Sequence, residues 1–338
     1  MSDEQGCPKR MTYGPCGGVR DDASCELDQR PCPFAQPRAE VVRWTEPTAP
    51  LPTGPSSRLL DAARSGPVVL SDLTTRAYDA AGLAAVVDVL RGSCDAVLVG
   101  EHQNRPDFPP ALMAMLVAQA GGTPWMTLTC RDRNRVVLEQ ELAGLALAGA
   151  DGVLCVTGDV RAPGVRPGVT QVFDLDGTRL AARARECGHA VAVPEAPAAV
   201  PRALRPARLL QKQRAGAHLA VLNHVATPGE VADFVTAARA LGVGIPAIAA
   251  VAVYTDERSA RVLQRFPGLH LEDARVEAVL EARDVREAGI EAAVAEARAL
   301  LAIEGVVGVN LSGLGSGAGE LAGARVKAEI GDRIREGR

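Results

Sequence analysis

Residues 125–159 read WMTLTCRDRNRVVLEQELAGLALAGADGVLCVTGD, and this stretch decides the fold class. It opens with an apolar run at 125–129, continues with an amphipathic helical pattern at 135–148 and returns to a second apolar run at 152–156. Two apolar runs joined by one helix predict a βαβ unit, in which the strands are parallel and the helix covers one face of the sheet.

The same alternation continues on both sides of this unit. Apolar runs predict eight strands, at 68–71, 96–99, 125–129, 152–156, 190–193, 219–222, 247–250 and 306–310. Helical patterns lie between them, at 80–91, 110–120, 135–148, 202–215, 228–241 and 289–303. Eight strands in one domain favour a closed barrel over a doubly wound sheet, and no G-x-G-x-x-G fingerprint follows the first strand.

We therefore predict an α/β protein whose main domain, residues 59–338, is a (β/α)8 TIM barrel. A cysteine-rich segment at 1–38 precedes it, and a proline-rich linker at 39–58 joins the two. In a barrel of this kind, chemistry gathers where the strands end and the βα loops begin.

Composition narrows the classes of partner. Hydrophobic residues make up 47% of the chain, charged residues 23% and aromatic residues only 3%, so Ala, Val and Leu must fill the core. A net charge of −4 with no basic run argues against a nucleic-acid partner. No apolar run reaches the roughly 18 residues of a membrane span, and the N-terminus lacks a secretory signal. We expect a cytoplasmic protein with no membrane association.

The cysteine segment, residues 1–38, lacks helical or strand periodicity and is rich in Cys, Gly, Pro and charge. Four of the eight cysteines lie in it: Cys7, Cys16, Cys25 and Cys32. Four thiolates suit zinc or a 4Fe-4S iron–sulfur cluster, and their spacing does not choose between the two. Because the segment has little apolar surface to bury, a metal would organise it, and a reduced flexible tail is the alternative.

The remaining cysteines lie singly in apolar segments of the barrel, where we expect each to be a small buried hydrophobic residue. They are Cys94, Cys130, Cys155 and Cys187.

Short motifs resemble one enzyme family. The words CPK, GPCGG, CE and PC around the four N-terminal cysteines resemble the cysteine-rich domain found with methylenetetrahydrofolate reductases of anaerobic and some actinobacterial types. In the barrel, MTLTC at 126–130, LCVTGD at 154–159 and QKQRAGA at 211–217 resemble motifs of the same reductases. In such relatives the cysteine domain usually lies C-terminal to the barrel or on a partner subunit, which implies a protein partner here.

The resemblance implies an oxidoreductase of one-carbon and methionine metabolism. It would reduce 5,10-methylenetetrahydrofolate, a small-molecule folate, to 5-methyltetrahydrofolate with FAD and NAD(P)H. Asp72, at the end of the first strand, stands where the family has a glutamate thought to give a proton to folate N5, so the resemblance makes it the general acid. Asp159 and Asn223 stand at folate-binding positions. Asp72 and Asp159 could each instead cap a turn.

Four further residues are implied at the cofactor. Thr129 and Lys212 fall in motifs that the resemblance places beside the flavin, although Lys212 could equally be a solvated charge. Gly313 and Gly315, in LSGLGSGAGE at 311–320, could present backbone N–H groups to a phosphate or simply form a flexible loop. The family's flavin-facing positions differ here, as Leu98, Thr127, Thr157 and Val193. The hydride would then come from FAD or directly from NAD(P)H.

Three alternatives stay open from the residues alone. The chain could be a folate-binding or electron-transfer subunit that acts with a partner through its cysteine segment. It could be a barrel enzyme with other one-carbon chemistry. Strand-end His102, His224, Glu101 and Glu195 could also form a second metal or acid–base site.

Overall fold

The computed structural model describes residues 6–46, 56–101, 105–161, 168–266 and 269–336. Eight parallel strands close into a barrel in chain order, with β8 paired to β1. The strands are β1 (Val68–Asp72), β2 (Ala96–Val99), β3 (Pro124–Thr129), β4 (Gly152–Val156), β5 (Val191–Glu195), β6 (Leu219–Leu222), β7 (Ala247–Tyr254) and β8 (Val306–Gly315). The predicted TIM barrel is confirmed.

Eleven α-helices accompany these strands in the described residues. They are α1 (Arg58–Ser65), α2 (Ala80–Leu90), α3 (Pro110–Gln119), α4 (Arg135–Leu147), α5 (Gly177–Glu186), α6 (Arg205–Arg214), α7 (Pro228–Ala240), α8 (Glu257–Gln264), α9 (Asp273–Leu280), α10 (Val285–Leu301) and α11 (Glu320–Glu336). None of the helices in this part of the chain is both long and apolar enough to cross a membrane.

Alternate residues of each strand face two different cores. Those that face the barrel axis form one cluster, which includes Leu70, Leu98, Trp125, Leu154, Leu219 and Ile248. Their neighbours along the strands pack against the helix layer in a larger cluster. Because both faces are buried, the strands read as continuous apolar runs, which is why they were visible in the sequence.

Helix α1 closes the N-terminal end of the barrel. Its Leu59 and Leu60 join the axial core. Asp151, directly before β4, accepts hydrogen bonds from the Ser57 hydroxyl (2.8 Å), the Arg58 and Leu59 N–H groups (2.8 and 3.2 Å) and the Trp125 indole (2.8 Å). One buried carboxylate therefore anchors the helix that seals this end, and the opposite end stays accessible for chemistry.

We expect Asp151→Ala to lower the free energy of unfolding by about 3–5 kcal/mol, because several buried donors lose their acceptor at once. Ser57→Ala removes one donor and the cap of α1, and should cost only about 1–2 kcal/mol. Urea unfolding followed by circular dichroism measures both. Equal losses for the two variants would show that Asp151 does not anchor the helix.

His218, directly before β6, should make stability depend on pH. Its Nδ1 accepts the Val191 N–H at 3.1 Å, so the ring is neutral, and burial, reinforced by Arg185, lowers the pKa of His218 from 6.5 to about 4. The unfolded chain takes up this proton first, so stability should fall by about 1–2 kcal/mol between pH 6.5 and 4, allowing for partial exposure.

His218→Gln keeps an acceptor for Val191 but does not titrate, and should lose that part of the pH dependence. His189, whose pKa burial also lowers, is unchanged in both proteins, so the difference between their urea unfolding curves isolates His218. Identical pH dependence in the two proteins would contradict the assignment.

Two predicted features need correction. Cys187, at the end of α5, is exposed, whereas Cys130 and Cys155 are buried as expected and Cys94 is half-buried. Strands β7 and β8 run beyond their predicted ends because Tyr254 pairs with Gly315 across a register shift.

Candidate functional site

The loops that follow the C-terminal ends of the strands form the mouth of the barrel. Asp72 ends β1 there, and its Oδ1 accepts a hydrogen bond from Asn310 Nδ2 of β8 at 2.8 Å. The same amide nitrogen donates to Ser312 Oγ at 3.0 Å. Asn310 is buried, and its Oδ1 has no hydrogen-bond partner within the described residues. The mouth thus holds a carboxylate beside a buried acceptor that lacks a donor.

A buried lysine binds the backbone of Asp72. Lys327 of α11 is 1% exposed, and its Nζ donates to the Asp72 carbonyl oxygen at 2.8 Å. Burial lowers the pKa of Lys327, and the nearby Asp72 opposes this. Sequence reasoning missed both partners of Asp72, although a polar Asn310 in a strand predicted to be buried was a usable signal.

A cavity of about 410 Å³ opens above β2 and β3. Guanidinium groups, carboxylates and apolar side chains line it together. Its lining includes Arg105, Arg133, Arg161, Glu101, Asp107, Asp132, Glu141, Phe108, Met113 and Met126. We call it the arginine cavity.

Thr129, predicted at the cofactor, contacts Glu101, which lines this cavity. Its N–H and hydroxyl both donate to the Glu101 carboxylate at 3.1 Å. Arg133 Nη1 donates to the same carboxylate at 2.7 Å. Next to them, burial raises the pKa of Glu141, with Glu101 adding to the shift and Arg133 opposing it.

Asp159 lies exposed on the loop after β4, and the cysteine segment is bound to this loop. Lys9, 2% exposed, pairs with Glu26 and donates to the Gly158 carbonyl at 2.7 Å. Glu26 accepts the Val160 N–H at 3.2 Å. The segment therefore packs against the mouth, beside the predicted folate-binding aspartate.

Cys7, Cys16 and Cys32 belong to a small apolar cluster with Met11 and Phe34, and Cys25 lies near enough to Cys7 to affect the pKa of Cys7. Burial raises the pKa of Cys16, and the buried cations Lys9 and Arg205 oppose this. Thiolates beside two buried cations suit a metal centre in type and charge. Across the described residues, however, no three His, Cys, Asp or Glu side chains are arranged so that they could hold a metal ion, and the zinc or iron–sulfur site stays a prediction.

Lys212 is committed to a buried ion pair. Its Nζ donates to Glu195 Oε2 at 2.8 Å and to the Pro194 carbonyl oxygen. Arg205 lies 3.6 Å from the other carboxylate oxygen. Burial lowers the pKa of Lys212 to about 8, against the attraction of Glu195. Burial alone would raise the pKa of Glu195, but Lys212, Arg205 and Arg208 lower it.

The buried cluster of Glu195, Lys212 and Arg205 also binds the cysteine segment. Arg205 Nη1 donates to the carbonyl oxygens of Pro15 and Cys16 at 3.3 and 2.9 Å. Lys212, predicted at the cofactor, therefore belongs to the buried charged cluster that binds the cysteine segment through Arg205.

The loop after β8 contacts a carboxylate. The Gly317 N–H and the Ser316 hydroxyl donate to Asp256 Oδ2 at 2.6 and 3.1 Å. Gly313 and Gly315 have positive φ angles of 100° and 74°. A Cβ at Gly315 would lie 2.7 Å from the Gly323 carbonyl oxygen. Packing and backbone conformation explain both glycines.

Within the part of the chain that the structure describes, the second metal or acid–base site is not assembled. Glu101 and Glu195 are held by the partners described above, and His224 Nε2 lies 2.8 Å from Glu296 Oε1. His102 lies outside the described residues. Asn223, the predicted folate amide, is exposed at the mouth, and its backbone N–H donates to the backbone carbonyl of Glu195 at 2.8 Å.

The residues present do not fit a flavin at the predicted positions. Thr129 and Lys212 are bound to carboxylates, and the glycine loop already binds one. Val193, counted among the flavin-facing positions, is fully buried against the helix layer. FAD binding therefore stays an expectation of the resemblance, and we derive no step through it.

Comparison with known proteins gives one family match. Residues 2–47 match the family described as "Methylene-tetrahydrofolate reductase C terminal". This match confirms the resemblance carried by the cysteine segment. A comparison with curated protein sequences finds no match.

Among solved structures, an uncharacterized protein from Clostridium thermocellum that binds two copies of 5-methyl-5,6,7,8-tetrahydrofolic acid is 10% identical, with a TM-score of 0.61 over 83% of this chain and 100% of that chain. A 2,3-dimethylmalate lyase is 12% identical, with a TM-score of 0.46 over 77% and 80% of the two chains. Tryptophan synthase from M. tuberculosis is 16% identical, with a TM-score of 0.46 over 83% and 99%. At these identities, the likeness concerns the fold alone.

Proposed function

We propose that this chain binds a reduced folate at the mouth of its barrel and reduces the one-carbon group of 5,10-methylenetetrahydrofolate with hydride from NAD(P)H. One observation carries the proposal: the Asp72 carboxylate lies beside the buried Asn310 Oδ1, which has no donor among the described residues. A pterin offers amino and ring N–H groups, which would supply the donor that Asn310 Oδ1 lacks.

The comparisons add support from two sides. The N-terminal match is to a domain named after methylenetetrahydrofolate reductase. The C. thermocellum protein, which has the same fold, binds 5-methyltetrahydrofolic acid. Neither source names the reaction of this chain, so the reduction itself rests on the chemistry of the mouth.

The residues at the mouth have separate tasks in this reaction. The methylene carbon gains a hydride while its bond to one of the two folate nitrogens breaks, so the reaction consumes one proton. Asp72 supplies that proton. Asn310 fixes one carboxylate oxygen of Asp72, and Lys327 fixes its backbone. Asp159 and Asn223, both exposed at the mouth, orient the pterin.

Two measurements on the purified full chain test the proposal. Calorimetry with 5-methyltetrahydrofolate should detect binding, and incubation with 5,10-methylenetetrahydrofolate and NADH or NADPH without oxygen should yield 5-methyltetrahydrofolate by mass spectrometry. A visible spectrum of the same sample reports any flavin. Binding without product would favour a binding subunit, and absence of both would overturn the proposal.

A second candidate function is electron transfer or folate binding with a partner protein, and the contact between the cysteine segment and the Asp159 loop favours it. Cys7, Cys16, Cys25 and Cys32 would hold the metal, and an iron–sulfur cluster there would supply one-electron chemistry. Metal analysis of protein purified without oxygen should find zinc or iron that Cys16→Ser loses and Cys187→Ser, at an exposed cysteine, retains. Zinc would count against electron transfer.

A further inference from the structure

We infer that the arginine cavity binds the anionic end of a substrate, through carboxylate or phosphate oxygens that contact Arg161, with Arg105 and Arg133 nearby. The inference deepens the proposed function, on which it rests for the ligand: a folate carries glutamyl carboxylates, and a nicotinamide dinucleotide carries phosphates. Both sources offer oxygen anions, which guanidinium groups recognise.

Arg161 provides the main evidence. Its side chain is only 12% exposed, and its Nη2 pairs with Asp132. Its Nε and Nη1 are buried and have no hydrogen-bond partner in the described residues. Buried guanidinium N–H groups are costly to leave without an acceptor, and the Arg161 side chain lines the cavity. An oxygen anion in the cavity would satisfy them.

The carboxylates around the cavity are already engaged. Glu101 accepts from Thr129 and Arg133, and Asp107 accepts the Phe108 N–H at 2.8 Å. Asp132 is shared between Arg161 and Arg131, whose Nη2 lies 2.9 Å away.

The fourth carboxyl, Glu141, faces Arg133, whose Nε lies 3.8 Å from Glu141 Oε1. Four acidic and three basic side chains thus line the cavity, but the N–H donors of Arg161 are left to attract a ligand.

The cavity lies beside the loop that follows Asp72 and β1. Arg105 Nη2 donates to the Thr75 carbonyl at 3.2 Å, so the loop after β1 adjoins the cavity. Phe108, Met113 and Met126 form apolar walls. A volume of about 410 Å³ accommodates an aromatic or aliphatic linker that ends in an anion.

Calorimetry on the full chain and on Arg161→Met tests the inference, with 5-methyltetrahydrofolate, tetrahydropteroate, NADH and NADPH as probes. If the glutamyl carboxylates bind here, Arg161→Met should lower the affinity for 5-methyltetrahydrofolate about 10- to 100-fold. The affinity for tetrahydropteroate, which lacks these carboxylates, should not change. If phosphates bind here, Arg161→Met should instead lower the affinity for NADH and NADPH. No change with any probe would overturn the inference.

Controls separate this outcome from others. Arg135→Met removes an exposed arginine paired with Glu139 and should change no affinity. Arg161→Lys keeps the charge and should recover part of the loss, and urea unfolding shows whether Arg161→Met is folded. If the wild type binds tetrahydropteroate but Arg161→Met changes no affinity, the inference alone fails.

If the wild type binds no folate or dinucleotide, the proposed function fails, and inorganic phosphate becomes the probe for the anion site. Phosphate binding that is lost in Arg161→Met supports the anion site. Absence of phosphate binding overturns it.

Discussion

Asp72→Asn is expected to slow the formation of 5-methyltetrahydrofolate by about 10²- to 10⁴-fold, while the affinity for 5-methyltetrahydrofolate changes by less than about threefold. The asparagine carbonyl can still accept the hydrogen bond from Asn310, so the mouth keeps its shape and loses only the proton. Steady-state rates with product measured by mass spectrometry give the first quantity, and calorimetry gives the second.

Asp72→Glu is the matched control, because it keeps a carboxyl group and lengthens it by one methylene. We expect it to retain a rate within about tenfold of the wild type, well above that of Asp72→Asn. A wild-type rate in Asp72→Asn would show that the proton enters from another group. Loss of folate binding in Asp72→Asn would make Asp72 a binding residue rather than the general acid.

The barrel was predictable because its strands are buried on both faces. Strands β2, β4 and β6 begin and end where the apolar runs do, since turn residues flank each run. Helix α1 was not predicted, because it has only eight residues and follows a proline-rich stretch. Its two buried leucines pack against the end of the folded barrel, which the sequence pattern does not show. Helices α5, α8 and α9 were also not predicted.

The site was harder to predict, because its partners come from distant elements. Asp72 was identified from its place at a strand end, but Lys327 and Asn310 reach it from α11 and β8. Nothing in the sequence distinguishes Arg161, whose role depends on its burial beside a cavity. A motif match names residue types and leaves their partners undefined, so the motif around Lys212 does not indicate its buried pair with Glu195.

The cysteine segment illustrates the same limit. Its composition predicts a metal-ordered unit, and its contacts with the mouth depend on Lys9 and Glu26, which carry no sequence signal of their own. Buried charges that join two parts of a chain become visible only when both parts are folded. Glu195 is the clearest case, because its cations hold both the barrel and the segment.

Glu195→Gln is expected to lower the free energy of unfolding by about 3–5 kcal/mol, because it leaves Lys212, Arg205 and Arg208 buried without their carboxylate. Arg205 also binds the Pro15 and Cys16 carbonyls, so the N-terminal segment should lose protection from hydrogen exchange before the barrel does. Urea unfolding and hydrogen exchange read by mass spectrometry measure the two effects.

Lys212→Met is the matched control for this prediction. It removes one cation but leaves Glu195 with Arg205, so its cost should be clearly smaller. The folded pKa of Lys212, about 8, lies below its unfolded value of 10.5, so the unfolded chain binds more protons between them and stability rises with pH in that window. Without Glu195 the lysine would lose its proton at still lower pH, and the penalty of Glu195→Gln should shrink from pH 7 to pH 9. An equal cost for both variants at every pH would mean that the carboxylate does not balance these cations.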